Sequence, residues 1–266
     1  MPTYAVFGNP IAHSLSPQLQ NAFAAQFHFT IDYQKQLAPL DRFNESIDAF
    51  RAQGGLGANI TIPFKTEAVA YADQLTDRAT IAGAVNTFIF KQNVCVGDNT
   101  DGVGLLRDVQ NNLGISLEHK NILILGAGGA TRGILNAIIQ THPQQLFLYN
   151  RTANNAEKLI HAFQQNFFIQ PYHPEHKIDL VINASAINFA EMVSLEINLS
   201  ETICYDLNYG ERHHTFSTWA AHRGAPMIFD GLGMLVEQGA ESFYQWFEKR
   251  PETSSVITML RKGQKK

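Results

Sequence analysis

A glycine-rich turn in the stretch NILILGAGGATRG, residues 121–133, constrains the fold of this chain more than any other feature of its sequence. Four of the first five residues are apolar, and glycine follows at Gly126, Gly128 and Gly129. An apolar run that ends in glycine and continues as a helix is typical of a strand that leads into a phosphate-binding turn. Thr131 occupies the third glycine position of the G-x-G-x-x-G pattern, so a plain tight connection is the alternative. The surrounding strand–helix–strand series favours dinucleotide binding.

Strand and helix patterns alternate over the first hundred residues. The helix SPQLQNAFAAQF is predicted to begin with Ser16 as its cap and Pro17 in its first turn, and two further helices follow Pro63. A helix is also predicted within LDRFNESIDAFRAQGG, and NTFIF and VCVG form an antiparallel hairpin. The predicted strands of the first half are TYAVF, IDYQKQL and LGANITI. These elements predict a mainly parallel sheet covered by helices.

A helix over residues 101–113 leads into a second series of the same kind. Its helices are expected to start near Gly129, Ala153 and His213. Its predicted strands are NILIL, QLFLYN, KIDLVIN, TICYDL and PMIF. Residues 231–266 are predicted to be mostly helical, and their pattern alone assigns them to neither sheet. We therefore predict an α/β protein of two domains.

Composition excludes several classes of function. The chain has 266 residues with a formal net charge of −4, which argues against a nucleic-acid partner because phosphate binding needs a basic face. No apolar run reaches membrane-spanning length and the first residues lack a signal-peptide pattern, so we expect no membrane attachment and a cytoplasmic location. The only two cysteines, Cys95 and Cys204, are far apart and are interpreted as small buried hydrophobes.

The end of the strand after the glycine turn indicates which dinucleotide is bound. NAD sites usually carry an acidic residue at this position, which binds the ribose 2′-hydroxyl. Here the residues are Asn150, Arg151 and Thr152. A guanidinium and a hydroxyl suit a 2′-phosphate, whereas a carboxylate would repel it. NADP is the predicted cofactor, and the alternative for Arg151 is a solvated charge at a helix start.

Polar side chains cluster after two strands of the first half. Ser14 and Ser16 follow the first strand. The stretch NITIPFK places Asn59 and Thr61 in a strand, followed by a proline and Lys65. Hydroxyls, amides and an amine at strand ends suit a small polyhydroxylated acid in the crevice of an open sheet. Helix capping by the serines, a surface role for the lysine, and an N-cap role for Asp101 are the alternatives. The scattered histidines lack a supporting carboxylate or cysteine set, so we expect no metal.

Seven stretches together resemble the shikimate dehydrogenase family over nearly the whole chain. They are YAVFGNPIAHSLSP, GANITIPFK, AGAVNT, GDNTDGVGL, GAGGATRG, NRT and DGLGMLVEQ. The resemblance implies NADP-dependent, reversible reduction of 3-dehydroshikimate to shikimate in the chorismate pathway of aromatic amino-acid biosynthesis. It implies a substrate domain of residues 1–101 and 231–266, to which the C-terminal helices return, and a Rossmann-like NADP domain of residues 102–230. We expect a monomer or a homodimer.

The resemblance also implies roles for single residues. Lys65 and Asp101 correspond to the catalytic pair. The positions that hold the substrate carboxylate are Ser14, Ser16 and Tyr209, and those that line the ring and its hydroxyls are Thr61, Lys65, Asn86, Asp101 and Gln238. The positions that bind the cofactor are Asp77, Gly126, Ala127, Gly128, Gly129, Ala130, Asn150, Arg151, Thr152, Leu207 and Gly231.

Two departures from the family pattern concern the cofactor side. Asn154 and Asn155 stand where a second basic residue is expected, and NASAINF replaces the usual NATSxG at residues 183–189. Two alternative functions remain. One is a quinate/shikimate dehydrogenase that uses NAD, which an acid in place of Arg151 would favour. The other is a non-catalytic ligand-binding relative, which loss of Lys65 or Asp101 would favour.

Overall fold

The computed structural model describes residues 1–164, 167–185, 189 and 195–264. The chain forms two compact units, Met1–Leu105 with Leu235–Lys266, and Leu106–Met234. Each unit is built on one six-stranded sheet. No helix among these described residues is long and apolar enough to cross a membrane.

The sheet of the first unit has the strand order β2-β1-β3-β5-β6-β4. Its strands are β1 (Thr3–Gly8), β2 (Asp32–Leu37), β3 (Gly55–Ile60), β4 (Gln74–Leu75), β5 (Thr87–Lys91) and β6 (Val94–Asp98). The β1–β2, β1–β3 and β4–β6 pairs are parallel, and β5 pairs antiparallel with both β3 and β6. The predicted hairpin and the mainly parallel character of this sheet are confirmed.

Helices of the first unit cover this sheet. They are α1 (Ser16–Gln26), α2 (Phe43–Ala52), α3 (Glu67–Tyr71), α4 (Asp77–Ala82), α5 (Asp101–Leu106), α9 (Leu232–Phe247) and α10 (Ser254–Gly263), with the last residue of α5 and the first three of α9 belonging to the second unit. One face of the sheet packs an apolar core that includes Phe7, Phe43, Ile60 and Phe88. The predicted return of the C-terminal helices to the first domain is confirmed, because α10 packs on α1.

The second unit is an all-parallel sheet with helices in its crossovers. Its order is β12-β11-β10-β7-β8-β9. The strands are β7 (Asn121–Leu125), β8 (Gln145–Tyr149), β9 (Ile169–Pro171), β10 (Leu180–Asn183), β11 (Ile203–Asp206) and β12 (Met227–Phe229). The helices are α6 (Gly129–Ile139), α7 (Ala153–Phe163) and α8 (Glu211–Ala221). The strand order reverses beside β7, which is the switch point where such sheets bind nucleotides.

Four local features differ from the sequence expectations. The two short strands β4 and β9 were not predicted, since two or three residues carry no periodicity. Ser16 is the first residue of α1 rather than its cap, and Leu15 holds the cap position without a side-chain bond. The helix predicted over residues 101–113 is α-helical only to Leu106 and continues as a π-helical segment, Arg107–Asn112.

Candidate active site

Lys65 and Asp101 meet at the carboxyl ends of strands in the first unit. The Lys65 ammonium nitrogen lies 2.6 Å from Oδ2 of Asp101, and the two side chains are 14% and 5% exposed. An ion pair withdrawn from water interacts more strongly than a surface pair, provided that its remaining hydrogen-bonding positions are filled. Both predicted catalytic residues therefore lie in direct contact.

Asn86 and Gln238 complete the polar cluster around Asp101. The Asn86 amide nitrogen donates to Asp101 Oδ1 at 2.7 Å and to the Thr100 hydroxyl at 2.9 Å. It also lies 3.3 Å from Oε1 of Gln238. Because Asn86 occupies Oδ1, the other carboxylate oxygen is directed at Lys65.

Close backbone packing brings Gln238 to this cluster. A side chain at Gly104 would place its Cβ 2.6 Å from the Cβ of Gln238, so α5 and α9 approach each other only because residue 104 is glycine. At the next residue of α9, the Gln20 amide donates to the Gly239 carbonyl at 3.0 Å. The helix α9 thus supplies a site residue that lies far from Asp101 in the sequence.

Ser14 and Ser16 lie side by side in the same unit. Their hydroxyl oxygens are 3.1 Å apart, and the Ser14 oxygen also accepts from the Ser16 backbone N–H at 3.3 Å. Two adjacent hydroxyls are a suitable donor pair for a carboxylate.

Tyr33 and Asn59 extend the polar cluster beyond Asn86, whose carbonyl accepts from the Asn59 amide at 3.3 Å. The sequence predicted a binding role for Asn59 but did not reveal Tyr33. The Tyr33 hydroxyl donates to Asn59 Oδ1 at 2.7 Å. Burial raises the pKa of Tyr33 well above its usual value, so the phenol stays protonated. The Asn59 amide nitrogen in turn donates to the Ser242 hydroxyl at 2.9 Å and to Thr87 at 3.2 Å. Sequence separations of up to 183 residues hide such links.

Thr61 is half-buried and directly follows β3. Its backbone N–H donates to the Phe7 carbonyl at 2.9 Å, and its methyl lies against Gly8, where a Cβ would approach it to 2.5 Å. The residue is thus fixed beside the end of β1. Asp77, by contrast, is an exposed residue in the first turn of α4.

The glycine turn of the second unit has the geometry of a phosphate-binding turn. Gly126 has a φ of +108°, and a Cβ there would lie 3.0 Å from the backbone nitrogen of Ser185. A Cβ at Gly128, the cap position of α6, would meet nothing within 4 Å. Residue 126 thus needs glycine for its backbone conformation, while Gly128 leaves open space for an anion at the N-terminus of α6. These features fit a dinucleotide pyrophosphate.

Thr131 explains why the third glycine is dispensable. The side chain is fully buried, and its hydroxyl donates to the Gly126 carbonyl at 2.8 Å. Gly129 and Ala130 form the first residues of α6. The threonine closes the turn with a side-chain hydrogen bond.

Asn150 joins the glycine turn to the loop after β8. Its Oδ1 accepts from the Ala127 N–H at 3.2 Å, and its amide nitrogen donates to the Thr152 carbonyl at 2.8 Å. Arg151 and Thr152 are exposed at the start of α7. The guanidinium can therefore reach a phosphate without displacing buried structure.

Leu207, Tyr209 and Gly231 lie in the second unit beyond β11 and β12. Gly231 donates to the Asn208 carbonyl at 2.9 Å, and a Cβ on it would lie 2.3 Å from the Leu207 carbonyl oxygen. Tyr209 is half-buried in the loop before α8. Leu207 and Gly231 are thus brought together, whereas Tyr209 is in a different unit from Ser14 and Ser16. The segment NASAINF lies partly outside the described residues.

Neither thiol belongs to this chemistry. Cys95 and Cys204 are fully buried, and burial raises the pKa of each to about 12. Both thiols therefore remain protonated and unreactive near neutral pH.

The fold and these residues define the class of protein: a two-domain α/β protein with a Rossmann-type nucleotide domain and a polar small-molecule site. Family models match the chain in three parts. The shikimate dehydrogenase substrate binding domain matches residues 6–88, shikimate/quinate 5-dehydrogenase matches 107–199, and the shikimate 5′-dehydrogenase C-terminal domain matches 231–258.

Relatives extend this match to nearly the full length. A shikimate dehydrogenase (NADP(+)) of Vesicomyosocius okutanii is 45% identical over 97% of this chain and 99% of the relative. The structure of an Ael1 enzyme from Pseudomonas putida superposes with a TM-score of 0.88 at 36% identity, covering 98% of both chains. Shikimate 5-dehydrogenase from Thermus thermophilus, solved with NADP(H) and shikimate, gives 0.83 at 28% identity over 98% and 99% of the chains. This chain belongs to the shikimate dehydrogenase family.

Proposed function

We propose that this chain catalyses the NADP-dependent, reversible reduction of 3-dehydroshikimate to shikimate by hydride transfer, a step of aromatic amino-acid biosynthesis. The proposal rests above all on the partly buried contact of 2.6 Å between Lys65 and Asp101, enclosed by further polar side chains. We assign residues 1–101 and 231–266 to the substrate domain and residues 102–230 to the NADP domain. With this biosynthetic role, we assign the protein to the cytoplasm.

Lys65 acts on the oxygen that gains charge during the reaction. NADPH, when bound, supplies the hydride that reduces the ring carbonyl. The Lys65 ammonium polarises this carbonyl and donates a proton to its oxygen as the alkoxide develops. In the reverse direction the amine of Lys65 accepts the hydroxyl proton.

Asp101 orients Lys65 for this transfer. Its carboxylate is held by Asn86 through Oδ1, so Oδ2 fixes the direction of the ammonium and balances its charge. Asn86, Gln238 and Thr61 present amide and hydroxyl groups to the hydroxyls of the ring. These groups select the orientation in which the carbonyl faces Lys65.

The substrate carboxylate is assigned to Ser14, Ser16 and Tyr209. The hydroxyl pair with an oxygen separation of 3.1 Å supports this assignment on the side of the first unit. Quinate carries an additional hydroxyl at C1, for which these side chains make no separate provision, so shikimate is the preferred substrate.

The second unit binds the cofactor through its glycine turn and the adjacent loop. Gly126, Ala127, Gly128, Gly129 and Ala130 take the pyrophosphate. The 2′-phosphate is assigned to Asn150, Arg151 and Thr152, and the nicotinamide side to Leu207 and Gly231. A peripheral cofactor contact is assigned to Asp77 of the first unit. A positively charged guanidinium in place of an acid supports NADP over NAD.

Turnover by the purified protein tests the proposal directly. With shikimate and NADP⁺ we expect NADPH and 3-dehydroshikimate to form in equal amounts. A Lys65→Ala protein, prepared in the same way, controls for contaminating host enzyme. If the parent protein shows no more turnover than this variant, the proposed function is wrong.

A further inference from the structure

A buried carboxylate anchors the loop that follows β11. Asp206 is the last residue of this strand and is fully buried. Its Oδ1 accepts from the Asn183 amide at 2.7 Å, from the Asn208 backbone N–H at 3.0 Å and from the Asn208 side chain at 2.9 Å. One oxygen of this carboxylate thus organises both the neighbouring strand end and the start of the loop.

The second oxygen of the carboxylate is contacted by a histidine. Nδ1 of His213, in the first turn of α8, lies 3.0 Å from Asp206 Oδ2, and the imidazole is 19% exposed. Within the part of the chain that the structure describes, His213 is the only basic side chain within ion-pair distance of Asp206. The contact therefore joins the end of β11 to the start of α8 across residues 207–210.

The short segment spanned by this contact has little freedom. The Leu207 N–H donates to the Asn183 carbonyl at 2.8 Å, and the Asn208 amide donates to the Ser185 carbonyl at 3.0 Å. Gly210 has a φ of +62° and accepts a hydrogen bond from the His213 N–H at 3.1 Å. Leu207 and Tyr209, the two residues with assigned roles, belong to this segment.

We propose that His213 is a positioning residue of the reaction. Its imidazole holds Asp206 Oδ2 and thereby sets the conformation of residues 207–210, so that Leu207 and Tyr209 are presented to the nicotinamide and to the substrate carboxylate. This inference rests on the proposed function, because the roles of Leu207 and Tyr209 come from it. In this proposal His213 acts on binding through Asp206 and not by its own contact with a ligand.

The neighbouring histidine provides a matched control. His214 is exposed on α8, and its backbone carbonyl accepts from the Ser217 hydroxyl. Unlike His213, its imidazole forms no ion pair with a carboxylate of the described residues. The test compares His213→Leu, His213→Asn and His214→Leu. The asparagine amide nitrogen occupies nearly the position of Nδ1 and can still donate to Asp206, whereas leucine cannot.

We expect KM for shikimate and for NADP to rise by roughly tenfold in His213→Leu, the loss typical of one hydrogen bond to a charged group. We expect kcat to fall less, since Lys65 and Asp101 are unchanged. His213→Asn should restore both KM values to within about threefold of the parent, and His214→Leu should leave them unchanged. The increase in Tm that shikimate or NADP causes in each variant compares ligand binding without turnover.

Unaltered KM values in a folded His213→Leu protein would overturn the inference. So would equal losses in His213→Asn and His213→Leu, which would show that packing of the ring matters and the hydrogen bond does not. If His213→Leu does not fold, the comparison of His213→Asn with His213→Ala decides, and equal KM values for these two would likewise contradict it. Absence of activity in the parent protein would instead refute the proposed function.

Discussion

At the scale of single residues, variants of Lys65 and Asp101 test whether this ion pair serves catalysis or substrate binding. Lys65→Ala is expected to lower kcat by at least roughly 10²-fold, because the ammonium acts chiefly on the charge of the transition state. KM for shikimate should change much less. Asp101→Asn should lower kcat to a similar or smaller extent. In the double variant the increase in activation free energy should be smaller than the sum of the increases in the two single variants, since we expect the two side chains to act as a unit. Steady-state kinetics on the three variants measures this.

The opposite pattern would assign Lys65 a different role. Near-normal kcat with a sharp rise in KM would make it a binding residue. Circular dichroism of each variant controls for folding, because Asp101 is nearly buried and loses its ion partner in Lys65→Ala.

Tyr33 gives a second test at this scale. Tyr33→Phe removes only a hydroxyl, which leaves the buried Asn59 Oδ1 without that donor. We expect the free energy of unfolding to fall by about 1–3 kcal/mol, because a buried acceptor loses its donor. We expect KM for shikimate to rise, because Asn59 also donates to the carbonyl of Asn86, a residue assigned to the substrate. Tyr4→Phe is the control, since both tyrosines are buried and pack on Trp246. Urea unfolding and steady-state kinetics compare the two variants. Equal unfolding free energies and equal KM values for Tyr33→Phe and Tyr4→Phe would show that the Tyr33 hydroxyl contributes neither to stability nor to substrate binding.

At the scale of elements, the glycine turn separates conformation from ligand binding. Gly126→Ala is expected to destabilise the protein by about 1–3 kcal/mol, because alanine is strained at a φ of +108°. Gly128 has a φ of −96° and open space around it, so Gly128→Ala should leave stability nearly unchanged and weaken NADP binding. Urea unfolding and NADP titration measure the two effects. Equal NADP affinity for the parent and Gly128→Ala would contradict the placement of the pyrophosphate.

We propose that the loop between β8 and α7 controls the choice of cofactor. Arg151→Ala should reduce the preference for NADP over NAD by roughly ten- to a hundredfold, since a charge-assisted contact contributes about 1.5–3 kcal/mol. Lys158→Ala, an exposed charge further along α7, should leave the ratio of kcat/KM values unchanged. If both variants reduce the preference equally, the effect comes from general charge and not from a phosphate contact.

Elements of ordinary length were predictable from their sequence, and short or long-range features were not. The strand β7 is a short continuous apolar run that ends in the glycine turn, and the helix α6 has an apolar face after it, so their type and order follow from the pattern. The strand β9 has three residues and ends in proline, and the π-helical segment after Leu106 has no known pattern of its own. The candidate site combines both kinds of feature. The strand ends predict where Ser14 and Lys65 lie, but the approach of Gln238 depends on helix packing at Gly104.

At the scale of the whole molecule, we propose that specificity depends on two small sets of groups: a single guanidinium that selects NADP, and a pair of hydroxyls that selects shikimate. Residues 154 and 155 are asparagines, so Arg151 is the only basic residue of residues 150–155. The four combinations of shikimate or quinate with NADP or NAD test both choices on the unmodified protein.

The decisive measurement is kcat/KM of the purified parent protein for each of these four combinations. We predict the highest value for shikimate with NADP, a lower value when NAD replaces NADP, and a far lower value when quinate replaces shikimate. Equal values for the two cofactors together with comparable values for quinate and shikimate would contradict this prediction and favour a quinate/shikimate dehydrogenase that uses NAD.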